Sequence, residues 1–216
     1  MKNLKIEEYF AIGFKMAKKN YWIIFFRFII TVILVVIAAV TIIGLVFIPA
    51  LLGGFYKFML RAARGESKGI MDSWLYGFQN GMWWKSLLLM VISTLGTVAG
   101  FLLLLIPGIY LITAWLLAWF LLIDKGMFPT ESLGKSRELV HAIGFWKVFG
   151  VYALLTVGIQ ILSVIPIVNI LSLFILPFYL MIFVAVYENA IQNDSSHPNE
   201  SLSSFKGGVS FSESKK

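Results

Sequence analysis

The chain has 216 residues, of which 59% are hydrophobic and 13% are charged, and its formal net charge is +7. About a quarter of the residues of a soluble domain are charged, so this composition excludes a globule with enough polar surface for water and favours a protein embedded in lipid. The absence of cysteine excludes a disulfide scaffold, a cysteine-ligated metal site and thiol catalysis.

The N-terminal segment is charged and amphipathic. Residues 1–20 carry five lysines and two glutamates, and the apolar run after them is far longer than the roughly 7–15 residues of a signal-peptide core. We therefore expect the first hydrophobic segment to stay in the membrane. Before it, Ile6, Tyr9, Phe10, Gly13 and Phe14 share one face of a predicted helix.

Three apolar blocks follow, and each is long enough for two membrane crossings. Between Trp22 and Lys57 the only charge is Arg27, and the ranges 86–123 and 148–187 carry none. A block of this length would measure about 55–60 Å as one straight helix, whereas the hydrocarbon core is about 30 Å thick. The blocks therefore predict an all-α integral membrane protein with six transmembrane helices, arranged as three helical hairpins.

Helix breakers near the block midpoints predict the hairpin turns. They are Gly44 and Pro49, Gly100 and Pro107-Gly108, and Pro166 and Asn169. In the first block, residues 51–64 are short and already basic, so a single span followed by an interfacial half-helix remains an alternative there.

An amphipathic helix is predicted before each hairpin. The second contains Ile70, Met71, Trp74, Leu75, Phe78 and Met82, and the third contains Leu133, Val140, Ile143 and Gly144 after a helix start at Pro129-Thr130. Such helices can lie in the headgroup plane, or they can be connectors that pack on the end of the bundle. The pattern leaves both interpretations open.

The basic residues indicate the topology. All 18 lysines and arginines fall in the N-terminal segment, the two connections near 57–85 and 124–147, the tail, or at Arg27. The positive-inside rule then predicts a multi-pass protein of the bacterial cytoplasmic (inner) membrane with both termini in the cytoplasm. This distribution also accounts for the net charge without nucleic acid, and basic membrane-edge segments attract anionic headgroups.

Two series of residues recur along the chain and indicate an internal repeat. Tryptophans are spaced by 62 residues at Trp22, Trp84 and Trp146, and prolines by 58 and 59 residues at Pro49, Pro107 and Pro166. Constant spacing predicts tandem units over about 3–65, 66–125 and 126–189. We expect residues 1–189 to form one membrane domain and residues 190–216, which are rich in serine and asparagine, to form a disordered cytoplasmic tail.

The third unit carries a resemblance to a known family. The segment 122–140 (LIDKGMFPTESLGKSRELV), the sequence Gly144-Phe-Trp-Lys147, and the segments 104–110 and 55–66 are similar to landmarks of a bacterial six-span membrane protein family of unknown function. That family is similar to the membrane domain of glycerophosphoryl diester phosphodiesterase. The resemblance implies a six-helix bundle over roughly residues 5–190. It implies no phosphodiesterase activity, because the catalytic domain of such proteins is separate and soluble.

Few residues here suggest chemistry. His141 and His197 lack partners at metal-ligand spacing, and no cofactor site, metal site or catalytic constellation is visible. Asp124 and Glu188 close the second and third hairpins near Lys85 and Lys147. We interpret them as a candidate ionic cluster on the cytoplasmic side, which either gates or binds something or pairs charges across helix ends.

Inside the predicted spans the polar side chains are weak donors and acceptors. Ser93, Thr97 and Gln160 are the candidate intramembrane polar residues, and Gln160 is expected to face another helix or a cavity. Arg27 follows Trp22 by about 8 Å of helical rise, shallow enough to snorkel to the headgroups.

Two functions are consistent with this sequence. One is a non-catalytic membrane protein that acts through lipid or protein contacts, as an envelope-homeostasis or scaffold component. The other is a transporter or channel for a small or lipid-like solute, with a pathway between the hairpins. Membrane lipids, a second copy of the chain and another membrane protein are the expected partners.

Overall fold

The protein is an all-α membrane protein. The structure, a computed structural model, describes residues 4–40, 42–66, 73, 75–163 and 166–196. Helices and no strand are found in these ranges, as the composition predicted. They are α1 (Ile6–Lys19), α2 (Tyr21–Ala39), α3 (Ile42–Arg64), α4 (Met82–Leu103), α5 (Leu105–Ala114), α6 (Ala118–Lys125), α7 (Pro129–Ile143), α8 (Phe145–Ser163) and α9 (Pro166–Ser196). A single 3-10 turn, Gln79–Gly81, precedes α4.

Five stretches of the described residues are long and apolar enough to cross a membrane. They are Tyr21–Ala39, Val46–Arg64, Gln79–Leu103, Leu105–Lys125 and Ile175–Ser195. The pair α7 and α8 passes the same test as one broken span, bent by 99°, which makes up to six. The chain is therefore a polytopic membrane protein, in agreement with the hairpin interpretation.

The first hairpin turns earlier than predicted. Its helices α2 and α3 are separated only by residues 40 and 41, so Gly44 and Pro49 lie inside α3 and not in the turn. Proline is tolerated there because neighbouring groups in a membrane bundle can satisfy the backbone that it frees. Residues 51–64 complete this 23-residue helix, so the half-helix alternative is wrong.

The second hairpin turns at the predicted place. Leu104 adopts an extended conformation between α4 and α5, with φ −168° and ψ 150°. Close packing of the two helices follows from their glycines, because a Cβ on Gly100 would lie 3.1 Å from the Cα of Gly108. The small residues Gly100 and Gly108 therefore serve the packing of α4 on α5.

The returning half of the second hairpin is broken between α5 and α6, and a serine of α7 caps the break. The Ser136 hydroxyl donates to the carbonyl of Ala114 at 2.7 Å and accepts from the N–H of Leu117 at 3.2 Å. All three residues are buried. An unsatisfied backbone group in lipid costs roughly several kcal/mol. Because Ser136 bonds both a free carbonyl and a free N–H, it makes the break compatible with a membrane span.

The third hairpin begins at a sharp bend and ends later than predicted. Gly144, with φ 110°, separates α7 from α8, and this positive φ favours glycine. Pro166 opens α9, as expected for a turn residue, whereas Asn169 lies within that helix. The helix continues to Ser196 with Ala190 only 1% exposed, so the tail does not begin at residue 190. Residues 197–216 of the predicted tail lie outside the described residues.

The amphipathic connectors pack on the bundle. Tyr9, Gly13 and Ala17 form the buried face of α1, which packs against α9, and Asn189 donates from Nδ2 to the Tyr9 hydroxyl at 2.7 Å. Burial raises the pKa of Tyr9. The predicted stripe of α7 is buried at Leu133, Val140 and Ile143. Residues 70, 71 and 74 of the second predicted helix lie outside the described residues, while Leu75 and Phe78 are exposed and Met82 is buried at the start of α4.

The contact between α1 and α9 yields a test of this packing. A Cβ on Gly13 would lie 2.6–2.9 Å from side-chain and backbone atoms of Ile182. We expect Gly13→Ala to lower the free energy of unfolding by about 1–3 kcal/mol, because the backbone of α9 cannot yield like a flexible side chain. Thermal unfolding of the detergent-solubilised protein measures this change.

Gly134 on α7 is the matched control, because a Cβ there would meet nothing within 4 Å. Gly134→Ala is expected to leave stability unchanged or raise it by about 0.5–1 kcal/mol through its helix propensity. Equal effects of the two substitutions would contradict close packing at Gly13.

Candidate functional site

Three helices meet in an ionic cluster, which we define as Arg64, Asp124, Tyr187 and Glu188. The Arg64 guanidinium donates two hydrogen bonds to Asp124, 2.7 Å from Nη1 to Oδ1 and 2.8 Å from Nη2 to Oδ2, and its Nε lies 2.8 Å from Oε1 of Glu188. The Tyr187 hydroxyl donates to Oδ2 of Asp124 at 2.9 Å. One arginine at the end of α3 thus joins the end of α6 to α9.

The cluster contains the two predicted carboxylates but a different cation. Arg64 joins Asp124 to Glu188, whereas Lys85 donates from Nζ to the carbonyl of Gly126 at 2.9 Å and ties the start of α4 to the end of α6. Lys147 lies in the first turn of α8, with its aliphatic chain beside Gly144.

A sequence signal for Arg64 was present. It precedes Gly65 in the way that Lys125 precedes Gly126, at the end of the first and second hairpins. A planar guanidinium matches a carboxylate in two-point geometry, which a lysine cannot do, so the residue type also favoured Arg64. Which carboxylates it reaches depends on the packing of hairpins distant in sequence.

The cluster is shielded on its membrane side. The side chain of Asp124 is 6% exposed and that of Glu188 17%, compared with 34% for Arg64. Phe120 stacks on the ring of Tyr187, with 5.3 Å between ring centroids. Nearby, Tyr76 donates from its hydroxyl to the carbonyl of Ile123 at 3.0 Å, and burial raises its pKa. Because each carboxylate is already paired, the arrangement favours a structural tie between hairpins over an open binding site.

Arg27 does not snorkel as predicted. Its residue is 2% exposed, and its guanidinium carbon lies 4.2 Å from the ring centroid of Phe58 on α3. Thr31 donates to the Arg27 carbonyl at 2.8 Å one turn later. The side chain turns towards α3 because Phe58 offers it a cation–π contact. The sequence alone did not show which face of α2 would be covered by α3.

The predicted polar residues of α4 border a pocket. Ser93 and Thr97, together with Thr94, line a partly open pocket of about 290 Å³ whose opposite wall includes Trp115 and Trp119. The Ser93 hydroxyl donates to the carbonyl of Met90 at 3.1 Å.

Gln160 lies away from this pocket. It is in the last turn of α8 with an exposed side chain, and its expected contact with another helix or a cavity stays a prediction.

Across the part of the chain that the structure describes, no three or more histidine, aspartate or glutamate side chains come together at a site for a metal ion. His141 instead shares a 2.9 Å hydrogen bond with the Tyr110 hydroxyl, next to the bend at Gly144.

Comparisons with models of protein families, with curated proteins and with solved structures found no match to this chain. The family resemblance of segments 55–66, 104–110, 122–140 and 144–147 therefore stays a prediction.

Proposed function

We propose that this protein acts through lipid or protein contacts in the bacterial cytoplasmic membrane, as an envelope-homeostasis or scaffold component without catalysis. The observation that carries the proposal is a large apolar core that joins the hairpins, with a second, smaller cluster that packs Met82 and Leu89 of α4 against α6 and α7. Buried side chains from seven helices form the large core, among them Tyr9, Ile24, Met59, Leu121, Val140, Val151 and Tyr187. A close-packed interior of this kind suits a rigid bundle that acts through contacts on its surface.

The polar groups of the interior support the same proposal. Arg64 pairs with both carboxylates of the ionic cluster, and Ser136 satisfies the backbone at the break between α5 and α6. Ionisable residues that serve transport usually line a water-filled cavity. Here they hold helices together.

The outer surface offers the contacts. The repeated tryptophans are all exposed, Trp22 by 62%, Trp84 by 54% and Trp146 by 77%, and each lies within the first three residues of α2, α4 or α8. Tryptophan favours the membrane–water interface, so we place these helix starts at one level. Together with the positive-inside rule, this level supports cytoplasmic termini and a threefold repeat of hairpins.

The pocket beside α4 favours a second candidate function. Its three hydroxyl side chains and two indoles could contact a small or lipid-like solute within the membrane. A transporter or channel would use this pocket as one station of a pathway between the hairpins.

Reconstitution of the full chain into liposomes separates the two functions. For the scaffold proposal, we expect ion leakage and lipid scrambling no faster than in protein-free liposomes, because packed apolar clusters join the hairpins. Dithionite quenching of labelled lipid and dye release measure these rates.

A variant of the pocket completes the test. If the wild-type chain does accelerate either process, Thr97→Val distinguishes the pathway, because this nearly isosteric change removes a hydroxyl from the pocket wall. Acceleration that Thr97→Val reduces would replace the scaffold proposal by the transporter. Acceleration unchanged by it would contradict both the scaffold and this pocket.

A further inference from the structure

A groove on α1 combines an apolar floor with a basic rim. Phe10, Ala11 and Phe14 line it together with Lys15 and Lys18, and its volume is about 530 Å³. These positions recur at helical spacing, beside the face of α1 that packs on α9. The groove therefore lies along the outer side of α1, at the border of the contact with α9.

Aromatic rings connect the floor of the groove to the membrane-spanning helices. Phe14 stacks on Phe178 of α9 with 4.3 Å between ring centroids, and Tyr21 lies 5.3 Å from the same ring. Tyr21 is the first residue of α2. The apolar surface thus continues from α1 to the start of the first hairpin.

That hairpin presents apolar side chains to its surroundings at this point. Trp22, Ile23 and Phe26 are more than half exposed, and Trp22 also contacts Phe26 with 6.0 Å between ring centroids. Since tryptophan favours the interfacial depth, we expect the groove to lie where headgroups give way to acyl chains.

The charged residues that line the groove are both lysines. Lys15, Lys18 and Lys19 are exposed in the last turns of α1, whereas Glu7 and Glu8 occupy its first turn. The groove therefore lies at the basic end of an amphipathic helix, which suits an anion better than a neutral or cationic group.

We propose that this groove binds an anionic phospholipid. The phosphate contacts the ammonium groups of Lys15 and Lys18, and an acyl chain lies on Phe10 and Phe14 and continues along Trp22 of α2. This site rests on the proposed role in lipid contact and names the lipid class and the residues that bind it. Charge complementarity at the rim and apolar continuity with α2 favour a lipid over a soluble anion, which would leave the aromatic floor uncovered.

Lipid retention measured by native mass spectrometry tests the site. The full chain is titrated in detergent with phosphatidylglycerol and, separately, with phosphatidylcholine of the same acyl chains. We expect wild-type protein to retain phosphatidylglycerol in preference. The double variant Lys15→Gln/Lys18→Gln is expected to lose about ten-fold or more of this preference, because each lysine near an anionic headgroup contributes about five-fold.

Three further measurements test the site. The matched control Lys125→Gln/Arg137→Gln removes two exposed cations of α6 and α7 and should keep the preference. Phe14→Ala should weaken retention of both lipids, because it opens the apolar floor. Added inorganic phosphate should not displace the lipid.

The outcomes are distinct for the site and for the proposed function. Four results would each overturn the groove as an anionic phospholipid site. They are equal retention of the two lipids by the wild-type chain, an unaltered preference in Lys15→Gln/Lys18→Gln, an equal loss of preference in the control pair, and displacement of the lipid by phosphate. None of these results would alter the liposome assays, whereas scrambling or leakage by wild-type protein would overturn the proposed function and leave the lipid preference to stand.

Discussion

Arg64→Ala is expected to destabilise the protein by about 3 kcal/mol, because it leaves two largely buried carboxylates without their cation. Asp124 and Glu188 keep only 6% and 17% of their side-chain surface in contact with solvent. The value lies at the lower end of the range for broken buried pairs because Arg64 itself is 34% exposed. Thermal unfolding in detergent should show a lower Tm, by roughly 2–4 °C for each kcal/mol.

Arg61, one turn earlier on α3, is the matched control. Its Nη1 lies 3.3 Å from the Ser73 hydroxyl and its Nε 4.0 Å from a carboxylate oxygen of Glu66, whose side chain is 51% exposed. The Arg61 side chain is 21% exposed, and a single ion pair at this distance contributes about 0–1 kcal/mol. The hydrogen bond to Ser73 contributes about 1 kcal/mol, so Arg61→Ala should cost clearly less than Arg64→Ala. Equal losses for the two variants would show that Arg64 does not hold the hairpins together.

A conservative variant keeps the idea testable if Arg64→Ala does not fold. Arg64→Lys retains the charge but cannot form two parallel hydrogen bonds with Asp124. We expect a stability between those of wild-type protein and Arg64→Ala. In a double-mutant cycle with Asp124→Asn, additive effects of the two substitutions would count against a direct tie.

Gly77→Ala is expected to destabilise the protein by about 3 kcal/mol or more, because a new methyl group would overlap the backbone of α3. A Cβ at Gly77 would collide with the carbonyl oxygen of Ala50 and lie 2.8 Å from its carbonyl carbon and 3.2 Å from the amide nitrogen of Gly54. Overpacking against side chains costs about 1–3 kcal/mol, and backbone atoms have less room to move. The loss of folded protein in size-exclusion chromatography and in thermal unfolding measures the effect.

Gln79→Ala provides the control in the same connection, since Gln79 is exposed in the turn before α4. It should leave the Tm within about 1 °C of wild type, because surface changes of this kind are usually within about 0.5 kcal/mol. A tolerated Gly77→Ala would mean that the connection does not lie directly on α3.

The architecture could be predicted from the sequence because a lipid environment imposes simple rules on a chain. Long uncharged blocks must cross the membrane as helices, and a block of this length turns once, so hairpins followed from charge spacing alone. The turn at Leu104 agrees with the breakers around Gly100 and Pro107. The first turn did not follow them, because Pro49 is accommodated inside α3, where a membrane bundle can satisfy the freed backbone.

The candidate site was only half predictable for a different reason. Asp124 and Glu188 stand out as carboxylates at the ends of apolar blocks, so the sequence pointed to them. Their partner Arg64 lies 60 positions before Asp124 and 124 before Glu188. Spacing along the sequence does not show which hairpins pack against each other when their residues are this far apart.

The sequence by itself determined that this chain is a helical, multi-pass membrane protein, because solvation and helix length act on each segment independently. Only the tertiary structure decided what depends on two segments at once. In the structure Arg27 lies over Phe58 and not at the headgroups, and the carboxylates pair with Arg64 and not with Lys85. Ser136 caps a helix break that no local sequence pattern predicts. Such choices arise from packing between helices distant in sequence, where a few ångströms decide which polar groups can meet.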